Sequence, residues 1–88
     1  GVNLKMKYKI VEVGDMPLSM VEVGQKVSVM RVGGTPAIKQ RLADLGFVDG
    51  TQIDIIQSQD GNMIVKVKDS KLAITKEMAN KIVVKPLN

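Results

Sequence analysis

The ten residues from Arg41 to Gly50, Arg-Leu-Ala-Asp-Leu-Gly-Phe-Val-Asp-Gly, constrain this chain more than any other stretch. Ile38, Leu42 and Leu45 recur at the spacing that puts side chains on one helical face, while Lys39, Gln40 and Asp44 fall elsewhere. Gly46 stands where helices commonly stop in a left-handed residue, and Phe47 can fold back over the last turn as the apolar partner of that stop. Upstream, Thr35 suits an N-cap and Pro36 the first helical position, where its missing N–H is no loss. The pattern predicts a short α-helix over about Thr35–Leu45. Such a helix is marginal alone, so it must lean on something, and the open mouth of a sheet is the natural support.

Short strands surround it. Lys26 to Val32 carries Val27 and Val29 with Met30 between, apolar on both faces, and Gly33-Gly34 ends it. Ile53 and Ile55 share a strand face after the turn at Asp49-Gly50. Asp60-Gly61-Asn62 then reverses the chain into Met63, Val65 and Val67, a hairpin pattern with one buried and one wet face. Asp69-Ser70 makes another reversal before Leu72 and Ile74. Thr75 caps a helical turn near Thr75–Ala79, Asn80 suits a left-handed exit, and Ile82 with Val84 forms the last strand. Four or five short strands with one inserted helix describe a mainly β fold, a small SH3-like antiparallel barrel.

Residues 6–15 and 16–25 share Met and a Val-Glu-Val-Gly block at the same offsets. Two copies do not make a solenoid. Residues 1–15 are read as an N-terminal extension, an added edge strand or an expression remnant, and residues 16–88 as the barrel domain, with Pro17 at a turn or strand edge.

With 88 residues and aromatics limited to Tyr8 and Phe47, the chain builds one small aliphatic core. The net charge of +4 invites a nucleic-acid reading, yet Lys5, Lys7 and Lys9 account for three of the thirteen basic residues. Without residues 1–9, ten basic residues stand against nine acidic ones, which leaves no strong polyanion footprint. No apolar run is long enough to insert into a membrane and no segment reads as a signal peptide, so a soluble cytoplasmic protein is expected.

Histidine and cysteine are absent, which removes proton shuttling near neutral pH and thiol attack. Asp44 and Asp49 lack the alternating acids of an oxygen-ligand loop and read better as a helix-surface residue and a turn-former. Gly33-Gly34-Thr35 lacks the lysine and glycine spacing of phosphate loops, so a turn and cap is the better account. The six methionines do not cluster and read as gap-filling core residues. Two aromatics cannot line a proline-peptide groove or a base-stacking platform. No catalytic, cofactor-binding or metal residue is assigned.

Across Arg41 to Gly50, with Leu18 to Gly24, the strand from Lys26 and the closing Ile82-Val83-Val84, the sequence resembles the FeoA family, small cytoplasmic proteins of bacterial ferrous iron uptake. The resemblance runs from about Met16 to Val84. It implies an SH3-like barrel with the helix inserted after the first barrel strand. It also implies a non-enzymatic accessory that binds the cytoplasmic GTP-binding region of the FeoB permease. Leu42, Gly46 and Gly50 match the family segment as structural signatures. Lys39, Arg41, Leu45 and Phe47 are the candidate partner-binding residues, Arg41 with its stem beside Leu42 and Leu45. Self-association stays open. The alternative is a small basic nucleic-acid-binding barrel, motivated by the N-terminal lysines and by Lys66, Lys68 and Lys71. A direct iron chaperone lacks imidazole and thiolate ligands.

Overall fold

The computed structural model describes residues 15–87, in which six strands form one antiparallel sheet. In chain order they are β1 (Met16–Pro17), β2 (Lys26–Val32), β3 (Gln52–Gln59), β4 (Asn62–Val67), β5 (Ser70–Ile74) and β6 (Ile82–Pro86). Helix α1 (Pro36–Asp44) joins β2 to β3, α2 (Lys76–Ala79) joins β5 to β6, and a 3-10 turn at Leu18–Met20 follows β1. The strand order is β1-β6-β2-β3-β4-β5. An extra strand within residues 1–14 lies outside the described residues.

The sheet curls because β2 and β3 each slip register once, between Val29 and Arg31 and between Ile55 and Gln57. An extra residue on one strand bends it and raises its twist. The slips also settle which apolar residue faces inward where the sequence is ambiguous. Val27, Val29, Ile53 and Ile55 are buried, Met30 is half-buried, and Ile56 turns to solvent. At the sheet ends, the 3-10 turn meets α2, and the Ser19 hydroxyl donates to the Asn80 side-chain carbonyl. Side chains join there instead of a further strand ladder.

Turn chemistry fixes the hairpins. Asp60 (φ 55°) and Gly61 (φ 88°) form the two-residue β3–β4 turn, and Gln59 pairs Asn62 across it. Asn62 then accepts a hydrogen bond from the Lys76 N–H at 2.8 Å, and Thr75 accepts from the Met78 N–H at 3.2 Å. Two of the orphan donors of a four-residue helix are thereby satisfied. The β4–β5 turn differs from expectation, since it centres on Lys68 and Asp69, with Lys68 at φ 57° and Val67 paired to Ser70. Asn80, expected left-handed, has φ −66°, because the chain leaves α2 through a right-handed residue.

Helix α1 starts as its sequence dictates, with the Thr35 hydroxyl accepting from the Ile38 N–H at 3.2 Å and Pro36 at the first position. Its end carries two reversing bonds, Gly46 N–H to Ala43 carbonyl at 2.9 Å and Phe47 N–H to Leu42 carbonyl at 3.0 Å. With Gly46 at φ 105°, this is a Schellman stop. Leu42 and Phe47 enter the core fully buried, and Ile38 packs partly against it. Leu45, expected on the same inner face, is 38% exposed. The helix has ended at Asp44, and the glycine turns the chain inward only afterwards.

The ladder between β2 and β3 includes the register pair Lys26 and Asp54, whose side chains lie 3.4 Å apart. The Gln52 side-chain amide, 3.2 Å away, holds the Asp54 carboxyl below its ordinary 3.8, with Lys26 and Lys66 assisting against the opposing effect of partial burial.

Two outcomes are expected. Replacing Gly46 with alanine puts a Cβ 3.0 Å from Val67 Cγ1 in a backbone region that L-residues avoid. Urea melts should show a loss of about 1–2 kcal/mol, and unchanged stability would remove the cap from this account. Because Asp54 is more acidic folded than unfolded, its contribution is present above about pH 4 and is lost as pH falls through the lower folded value. Asp54→Asn should flatten that acid limb by less than about 1 kcal/mol, as expected of a partly exposed pair. An identical acid limb in chemical denaturation from about pH 5 to about pH 2 would exclude the effect.

Candidate functional site

Among the described residues no three of His, Cys, Asp and Glu come together, and no helix is long and apolar enough to cross a membrane. What remains as a candidate site is surface, and one part of it is the end of the barrel that carries the Arg41–Gly50 segment. There the α1 stop, the start of β3 and the end of β4 meet. Gly46 lies against Val67, the Thr51 N–H bonds the Val48 carbonyl at 3.0 Å, and the Gly50 N–H bonds the Val29 carbonyl at 2.8 Å.

Two apolar side chains stand out from this end, Leu45 at 38% and Val48 at 43% exposure. Leaving them part-exposed forgoes a fraction of the roughly 1.5–3 kcal/mol that full burial of such a side chain brings. Arg41 precedes Leu45 by one helical turn, so both occupy the same side of α1. Lys39 is two positions from Arg41, about 200° around the helix, and does not join them. Arg41 and Lys39 are both exposed.

The sequence-derived candidates therefore separate. Arg41 and Leu45 form a ridge, Lys39 lies off it, and Phe47, at 1% exposure, has no surface to offer a partner. The correction to Phe47 has a plain cause, because the Gly46 hook sends the next residue into the core. Leu42 is buried beside it, and Gly50 takes φ 83° in the turn before β3. Val48 was missed by sequence reasoning. Its signal was its place after an inward aromatic and before the Asp49-Gly50 turn, where neighbouring side chains alternate sides.

Beside the ridge is a groove of about 380 Å³ lined by Thr51, Gln52, Asp54, Lys66 and Lys68. A second concavity of about 340 Å³ lies over β3–β5, with Gln57, Gln59, Ile64 and Ala73 in its lining and no titratable group.

The family model of the FeoA domain matches residues 16–86. A relative from Methanocaldococcus jannaschii, named for Fe(2+) transport as protein A, is 32% identical over 68 residues, covering 77% of this chain and 83% of its own. The crystal structure of an iron uptake regulatory protein, FeoA, superposes with a TM-score of 0.78 at 30% identity, covering 83% of this chain and 99% of that one. FeoA from Stenotrophomonas maltophilia, described as an SH3 domain protein and complexed with zinc, gives 0.69 at 28% identity over 78% and 88% of the two chains. This chain's own donors do not suit zinc, since it has no histidine or cysteine and its described carboxylates do not converge. The barrel and the match along nearly all of its described length lead to one conclusion: the chain belongs to the FeoA family, a family of ferrous iron transport accessory proteins.

Proposed function

We propose that this protein is a non-enzymatic adaptor of ferrous iron uptake that works in the cytoplasm by binding the GTP-binding region of a FeoB-type permease. The observation that carries the reading is the Leu45–Val48 ridge, an apolar pair left exposed at the segment that bears the family signature. Asp54, whose carboxyl is held low first by the Gln52 amide and then by Lys26, is engaged in these surface contacts. An adaptor needs a desolvating apolar centre with charge at its rim. Leu45 and Val48 supply the first, and Arg41 the second. The relatives named for iron transport make the transporter the natural partner.

The test is retention of the purified chain on the immobilised soluble GTP-binding region of the permease, loaded with GDP, with a GTP analogue, or empty. Retention is expected in at least one state. Leu45→Glu should weaken it about tenfold or more, the loss typical of an interface anchor, with little change in melting temperature because the side chain is already half in water. No retention in any nucleotide state would exclude the reading.

A further inference from the structure

Across the outer face of the sheet, register places Lys26 opposite Asp54, Asp54 opposite Lys66, and Lys66 opposite Lys71. One carboxylate thus serves a row of three lysines. It is already held by Lys26 and by the Gln52 amide. Lys66 and Lys71 face each other as like charges, an arrangement that destabilises a sheet. Among the described residues the ion pairs are Lys26–Asp54 and Arg31–Asp15, so Lys68 and Lys71 have no carboxylate at ion-pair distance, and Lys66 acts on Asp54 only from across the strand pair.

Lys68 adds an independent observation. Its φ of 57° is a left-handed conformation that strains a side-chain-bearing residue and that glycine adopts readily. A bulky cation therefore occupies the place in the turn where glycine would be less strained. Local strain of this kind points to a role outside the fold. Lys66 and Lys68 also line the 380 Å³ groove with Thr51 and Gln52, and Thr51 is bonded directly to Val48 of the apolar ridge.

We infer that this groove binds the carboxylates of an acidic segment on a protein partner, with Lys66 and Lys68 as the cationic contacts and Leu45 and Val48 at its edge receiving that segment's apolar side chains. The inference rests on the adaptor reading and assigns the chemistry of the partner segment. Nucleic acid fits less well. The only aromatic among the described residues, Phe47, is buried, so no base can stack. The exposed aliphatic side chains also give nothing to a phosphate backbone.

The test uses the full chain, with a short glutamate-rich peptide carrying one leucine as probe and amide chemical shifts as readout. Shifts are expected at Leu45, Val48, Thr51, Gln52, Lys66 and Lys68, with affinity falling as salt rises from about 0.01 to about 0.15 M. Lys66→Glu should weaken binding about tenfold. Lys68→Gly should weaken it while holding or raising the melting temperature, which separates recognition from folding. Unchanged peptide affinity in both variants, shifts confined to another face, or a single-stranded oligonucleotide binding as tightly as the peptide would each overturn the inference. Retention on the permease region that is insensitive to Lys66→Glu and Lys68→Gly would overturn it while leaving the adaptor reading intact. Peptide binding at the groove without retention on the permease would sink the adaptor reading and leave the groove's chemistry standing.

Discussion

The left-handed glycine at the end of α1 is the constraint from which the functional end of the molecule follows. By reversing the chain at Gly46, the stop carries Phe47 over Leu42 and puts both into the core, fully buried. In a chain whose only other aromatic is Tyr8, that pair anchors a helix too short to persist by itself. The same reversal leaves Leu45 before the hook and Val48 after it with no inward path. A single backbone conformation thus closes the core and creates the apolar ridge.

The barrel wall is built with equal economy. One register slip in each of β2 and β3 supplies curvature, and the outermost strands are joined through the 3-10 turn and α2 by side chains, with no β1–β5 ladder. Among the described residues β1 comprises Met16 and Pro17, and the proline has no N–H to donate to a neighbouring strand. Strand β5 presents lysine on its edge, a common protection against unwanted pairing. The proposed contact surface lies at the barrel end, where α1, β3 and β4 converge.

Charge follows the same geography. The basic excess looks diffuse in composition, yet strand register gathers Lys26, Lys66 and Lys71 into one row around Asp54, and the β4–β5 turn brings Lys68 beside it. Thr51, which lines the groove, donates its backbone N–H to the Val48 carbonyl.

The sequence by itself determined the local elements whose signals are covalent or nearest-neighbour: the Thr35 cap, Pro36 at the helix start, Gly46 at its end, the Asp60-Gly61 turn, and the alternation of Met63, Val65 and Val67. These depend on φ preference and on periodicities that a few residues suffice to display. Resemblance along Arg41–Gly50 carried the family. Tertiary structure alone decided that Val27 and Val29, not Met30, face inward in β2, where apolar residues lie on both faces. It decided that Leu45 is surface and Phe47 core, because burial depends on where the chain turns relative to the barrel, and that Lys68 takes the strained turn position. It also decided that Lys66 stands opposite Asp54 and shares a groove with Thr51 and Lys68, since residues more than ten apart in sequence meet only once the β3–β4 register has been set.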